Sequence, residues 1–152
     1  MVMRAKEVPR TMTLIRRYLV VANQTLGGAH LLSLLRELAE KPSTFHVLVP
    51  ATPPADHLWT EGEATTIAHR RLEIALERFR KLGIEVTGEV GDGRPLQAID
   101  DVLARESFDE IVLSTLPPRV SRWLKLDLIH RVQTTFGLPV RHVIASRETV
   151  EV

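Results

Sequence analysis

The sequence predicts an α/β domain of three layers, with a five-stranded, mostly parallel sheet between two sets of helices. Two observations carry this. Short β-branched runs alternate with longer stretches of helical period, which is the pattern of βαβ units. Two of the runs are also continuously apolar, as strands covered on both faces must be. The 152 residues fit one compact domain, with 44% hydrophobic and 26% charged residues in the ordinary globular range. We place that domain at 15–148, with a flexible N-terminal tail over 1–14 and a short C-terminal tail over 149–152.

The first strand is expected at Arg17 to Asn23, where Leu19, Val20, Val21 and Ala22 are apolar in a row. Leu31, Leu34, Leu35 and Leu38 then mark a helical stripe ended by Lys41-Pro42. The second strand runs from Thr44 to Pro50. A long helix follows from about Glu61 to Leu82. Thr60 with Glu63 forms a capping-box pattern, and Gly83 is a stop. Its expected buried stripe is Ile67, Leu72, Ala75, Phe79 and Leu82.

The third strand, Ile84 to Val90, alternates Ile84, Val86 and Val90 with Glu85, Thr87 and Glu89, which suits a sheet edge. Asp92-Gly93-Arg94-Pro95 opens a third helix carried by Leu96, Ile99 and Leu103, with proline at its first position. The fourth strand is Glu110 to Thr115. A fourth helix is expected from Ser121 to Phe136 on Leu124, Leu128 and Val132, ended by Gly137-Leu138-Pro139. The fifth strand, Leu138 to Ala145, carries Arg141 and His142 and is the expected opposite edge.

Composition excludes several classes of function. There is no cysteine, hence no disulfide and no thiolate nucleophile or ligand. Lys and Arg total 20 against 19 Asp and Glu, a net charge of +1, so nothing global points to nucleic acid or an anionic membrane. No run approaches the ~20 apolar residues of a spanning helix. The basic N-terminus lacks the apolar stretch of a secretory signal, and the expected location is cytoplasmic.

In open parallel sheets ligands bind beyond the carboxyl ends of the strands, where the strand order reverses. This directs attention to loops 23–28, 50–60, 91–95 and 114–121. The residues there that could meet a ligand are Ala22, Asn23, Gln24, Thr25, Val49, Pro50, Gly91, Asp92, Ser114, Thr115, Arg119 and Arg122. Asn23 could hold a nucleobase or ribose hydroxyl. The competing reading is that Asn23 satisfies local backbone groups and Thr25 caps the next helix. For Gly91 to Pro95, a tight turn with Asp92 as cap is favoured over contact with a ligand sugar. Arg119, Arg122 and Lys125 gather where a helix begins and would welcome an anion; the competing reading has them in water or paired with Asp127.

Other chemistries find no local support. The loop after the first strand matches neither a P-loop nor the glycine fingerprint of a dinucleotide site. No Gly-x-Ser-x-Gly elbow occurs. None of the six histidines pairs at i, i+4, so no metal site is expected.

Three segments together resemble the universal stress protein family, over about Arg17 to Ala145. They are the opening strand Tyr18 to Asn23, the helix entry Gly91-Asp92-Gly93-Arg94-Pro95-Leu96-Gln97-Ala98-Ile99, and Asp109 to Ser114 followed by Arg131-Val132 and Leu138-Pro139-Val140. The resemblance implies sheet order 3-2-1-4-5 and a homodimer, often through the last strands. In some members it also implies ATP between the first and fourth strands, gripped by Gly-x2-Gly-x9-Gly-Ser/Thr.

This chain departs from that motif. Ser114 and Pro117 stand where glycines belong, Asp127 falls near the Gly-Ser/Thr position, and Asn23 replaces the family's base-contacting Asp. Proline removes an amide donor, and a carboxylate repels a triphosphate. We therefore expect a non-catalytic, dimeric regulatory or stress-response module with a degenerate nucleotide pocket and no fixed cofactor. It would pair through the fifth-strand edge and take a small anionic ligand, with no nucleic acid or membrane partner. The alternative is a protein that binds ATP, AMP or another adenine nucleotide through non-standard loops. An enzyme of the related adenine nucleotide alpha hydrolases lacks its pyrophosphate-gripping Ser-Gly-Gly-x-Asp-Ser loop here.

Overall fold

The computed structural model describes residues 15–53 and 60–145. The two predicted tails and most of loop 50–60 lie outside them. The described strands are β1 (Arg16–Val21), β2 (Ser43–Pro50), β3 (Val86–Gly91), β4 (Glu110–Thr115) and β5 (Val140–Ile144). The helices are α1 (Ala29–Leu38), α2 (Glu61–Lys81), α3 (Pro95–Leu103), α4 (Arg122–Lys125) and α5 (Leu128–Phe136). All five strands are parallel, in order β3-β2-β1-β4-β5. This is the three-layer, Rossmann-like architecture that the alternation predicts, with β3 and β5 at the edges.

The run Tyr18 to Ala22 is apolar throughout because both of its faces are covered. Tyr18, Val20 and Ala22 join a core with Leu31, Leu35, Ala68, Leu72 and Phe79 from α1 and α2. Leu19 and Val21 join a second core with Ile99, Val102, Leu128 and Val132 from α3 and α5. The Thr60 capping box forms as expected, with Glu63 returning a bond to the Thr60 N–H. The buried stripe of α2 is shifted, however. Ala64 and Ala68 take the inner positions, and Leu82 turns outward as the cap.

The single helix predicted over 121–136 is two helices. Asp127 adopts a left-handed conformation (φ 57°) between α4 and α5. The reason lies in packing. Residues five apart on one helix point about 140° away from each other. Trp123 and Leu128 are both buried in the second core, and the break at Asp127 turns both inward.

The charges that mark β5 as unusual are answered by neighbours. Glu110, buried, joins Arg16 of β1 at 3.1 Å and Arg141 of β5 at 2.7 Å. His142 Nε2 lies 2.8 Å from Thr115 Oγ1, and burial lowers its pKa. Thr115 Oγ1 also lies 2.9 Å from Leu116 O, so its hydroxyl sits between that carbonyl and the imidazole. Pro139 O accepts from Ile111, and the Ala145 N–H donates to Thr115 O. By alternation the backbone groups of Val140, His142 and Ile144 face away from β4, along an edge that no described strand covers. No described helix is long and apolar enough to cross a membrane.

Candidate functional site

β1 lies between β2 and β4, and the chain leaves its two central strands toward opposite faces. After β1 it turns to α1, in the first core; after β4 it turns to α4 and α5, in the second. A crevice must open between the two exits. It is a cavity of about 420 Å³ that takes in Asn23, Gln24 and Thr25 from one exit and Ser114 to Leu116 and Arg119 to Arg122 from the other. Thr52, Pro53, Trp123 and Lys125 complete the wall.

The floor is held by its own hydrogen bonds. Asn23 is only 7% exposed. Its amide donates to Pro50 O at 2.7 Å, and its carbonyl accepts from Arg71 Nη1 at 2.6 Å. That fits the reading in which Asn23 satisfies local groups. Thr25 does not cap α1, whose N-cap is Gly28 with no side-chain bond. Its hydroxyl instead meets Ser114 Oγ at 2.6 Å, tying the ends of the two central strands together, with both side chains buried.

Four backbone positions of the β4 exit have no amide free for a ligand. Pro117 and Pro118 have none to offer. Those of Val120 and Ser121 turn inward to Pro117 O, at 3.0 and 2.9 Å. Ser121 caps α4 by accepting from the Leu124 N–H.

The rim has the opposite character. Arg119, Arg122 and Lys125 line the cavity, all exposed, and no described carboxylate pairs with any of them. Asp127, the partner that the competing reading offers, makes no ion pair with them among the described residues. No described lining residue is acidic. Like charges held together without a counterion create a local positive potential that an anion relieves.

Not every predicted residue arrives at this cavity. Ala22, Val49 and Pro50 lie in the buried strand ends beneath it. Gly91 and Asp92 are spent elsewhere. A Cβ at Gly91 would sit 2.9 Å from Leu48 Cδ1, and one at Gly93 would sit 2.8 Å from Ala51 O, so these glycines allow close packing of the turn. Asp92 does not cap α3, whose N-cap is Arg94. It folds onto Arg94 instead, accepting from the guanidinium at 2.9 Å and from the backbone N–H at 2.8 Å. The guanidinium and then the N–H pull the Asp92 carboxyl down to about 2.

Thr52, Pro53, Trp123 and Arg71 are contributors that the candidate residues did not include. Thr52 and Pro53 fall within loop 50–60 and carry no charge to draw notice. Arg71 stands three residues after Ala68 and four before Ala75, on the apolar stripe, where a lone cation signals an inward polar contact.

A second cavity of about 650 Å³ adjoins the first. Thr52, Pro53, Arg122 and Trp123 line both, and α3 and α5 form its sides. Elsewhere, His46, Glu89 and Glu106 bring possible metal-ligand atoms within 4.8 Å of one another. Both carboxylates already face arginines: Arg105 meets Glu89 at 2.7 Å and Arg17 meets Glu106 at 3.0 Å. Burial pushes the Glu89 pKa up, but hydrogen bonds from Arg105 and His46 outweigh it and leave the group below its ordinary range. The cluster is an ion-pair network that fastens β2, β3 and the chain after α3. Compared with known proteins, the chain matches no family model and no curated protein sequence.

The Thr25–Ser114 bond makes a quantitative expectation. Thr25→Val or Ser114→Ala alone leaves a buried hydroxyl unpaired and should destabilise by about 1–3 kcal/mol. The double variant should cost clearly less than the sum of the two, since removing both partners leaves nothing unsatisfied. Urea unfolding of the four proteins measures this; strict additivity would show that the hydroxyls do not act as a pair.

Proposed function

We propose that the chain is a non-catalytic, universal stress protein-like regulatory module that recognises a compact anion in the crevice between β1 and β4. The observation that carries this reading is the rim. Three cations converge on one cavity at the reversal point of the sheet, and no described carboxylate answers them. The described lining also holds no imidazole or carboxylate, the usual groups for moving a proton. A triphosphate gripped in the family's manner needs free backbone amides and glycines. In this chain the corresponding loop has two prolines in place of donors, and the amides of Val120 and Ser121 are bonded to Pro117. Asn23 has its carbonyl occupied by Arg71 and one amide proton by Pro50, which leaves little with which to read a base.

The same proposal includes a homodimer, in the cytoplasm, formed by pairing of β5 with a second copy of β5. The outward backbone groups of Val140, His142 and Ile144, together with the 43% exposed Ile144 side chain, make an edge suited to strand addition.

Calorimetry with inorganic phosphate and ATP tests the first part. Phosphate should bind, and more weakly as salt is raised. Arg119→Gln with Arg122→Gln should weaken it at least tenfold. ATP binding tighter than ~100 μM (about −5.5 kcal/mol) and insensitive to those substitutions would overturn the proposal in favour of an adenine-nucleotide protein.

Sedimentation tests the second part. The native chain should be a dimer at micromolar concentration. Ile144→Pro, which removes an outward N–H without touching the β4 ladder, should make it a monomer with unchanged circular dichroism. A native monomer, or a dimer indifferent to Ile144→Pro, would contradict edge pairing.

A further inference from the structure

The cations account for one cavity; the adjoining one is built differently. Leu96 from α3, Leu126, and Phe136 from α5 make apolar walls, and Leu126 is 50% exposed although it is large and hydrophobic. Trp123 belongs to both cavities, so its indole stands where the charged chamber meets the apolar one. An apolar hollow of this size next to an anion-attracting crevice suits a single ligand with two unlike ends.

The charges fix which end goes where. The groove holds one carboxylate, Asp100, against one cation of its own, Arg131; it shares Arg122 with the crevice, and the charge of Arg94 in it is already balanced by Asp92 at 2.9 Å. The crevice has three unpaired cations and, among the described residues, no acid. An anionic group is therefore favoured in the crevice and disfavoured beside Asp100. The doubly charged phosphate of a monoester suits three cations better than a single carboxylate does. A flat apolar arm would leave the junction past Trp123 and cover Leu96 and Leu126, removing exposed apolar surface from water.

We infer that the ligand class of this protein is a small phosphate monoester with an aromatic or short aliphatic arm, its phosphoryl group at Arg119, Arg122 and Lys125 and its arm in the groove between α3 and α5. This rests on the anion-binding reading of the crevice and adds to it the identity of the arm.

The test compares inorganic phosphate, phenyl phosphate and benzoate by calorimetry on the full chain. Phenyl phosphate should bind at least tenfold tighter than phosphate, and benzoate more weakly than phenyl phosphate. Leu126→Gln, at an exposed wall position, should remove most of that tenfold gain while leaving phosphate affinity within twofold. Thr135→Phe, which narrows the groove from the exposed side of α5, should do the same and guards against an effect peculiar to Leu126. If phosphate binds but phenyl phosphate gains nothing, or both variants leave the gain intact, the groove assignment fails while the crevice reading stands. If no phosphate binding is found at all, the crevice reading fails first. Benzoate binding as tightly as phenyl phosphate would overturn the choice of a phosphoryl group.

Discussion

Burial of β1 on both faces is the constraint on which the rest of this molecule depends. Tyr18, Val20 and Ala22 serve one core and Leu19 and Val21 the other, so each half of the protein is organised around the same five residues. A strand placed so needs helices on both sides, and the chain must leave β1 and β4 in opposite directions to supply them. The crevice is a consequence of that divergence. It is not carved by any special motif, and its position follows from the strand order alone.

What the crevice can do depends on which polar groups remain after folding. The deepest ones are committed to holding it together: Thr25 to Ser114, Asn23 to Pro50 and Arg71, Thr115 to Leu116 and His142. These bonds stiffen the strand ends, and groups so engaged have little left for a ligand. In the proposed reading, recognition falls to the rim, where exposed cationic side chains take the place of the rigid amide cradle used by glycine-rich loops. Such a rim attracts charge over a distance and adapts to its shape, but it selects poorly among anions. On the same reading, discrimination comes from a neighbouring surface, and the groove beyond Trp123 adjoins the rim.

The fold was legible because its signals are periodic and redundant. Each strand announces itself by several residues, and charged alternation in Ile84 to Val90 identified an edge before any pairing was known. Failures came where one residue decides. Asp127 breaks a helix whose leucines continue across it, because Trp123 needs to turn inward, and no periodicity in that segment records a tertiary need. Asp92 and Thr25 have the right chemistry for helix caps, yet each found a closer partner, Arg94 and Ser114 respectively. Those partners are two residues away in one case and 89 in the other, and only the second was beyond local reasoning. The cationic cluster of Arg119, Arg122 and Lys125 was visible as a sequence; that no described carboxylate would answer it was not.

In the proposed reading this crevice holds a phosphoryl group by side-chain cations rather than by main-chain amides. A crystal structure of the full chain grown with tungstate, a heavy tetrahedral oxyanion, addresses it directly through the anomalous signal of the metal centre. One strong peak is expected among the Arg119, Arg122 and Lys125 side chains, above the Thr25–Ser114 bond. A peak cradled by backbone nitrogens of loops 23–28 or 91–95, with those three side chains turned away, would contradict it.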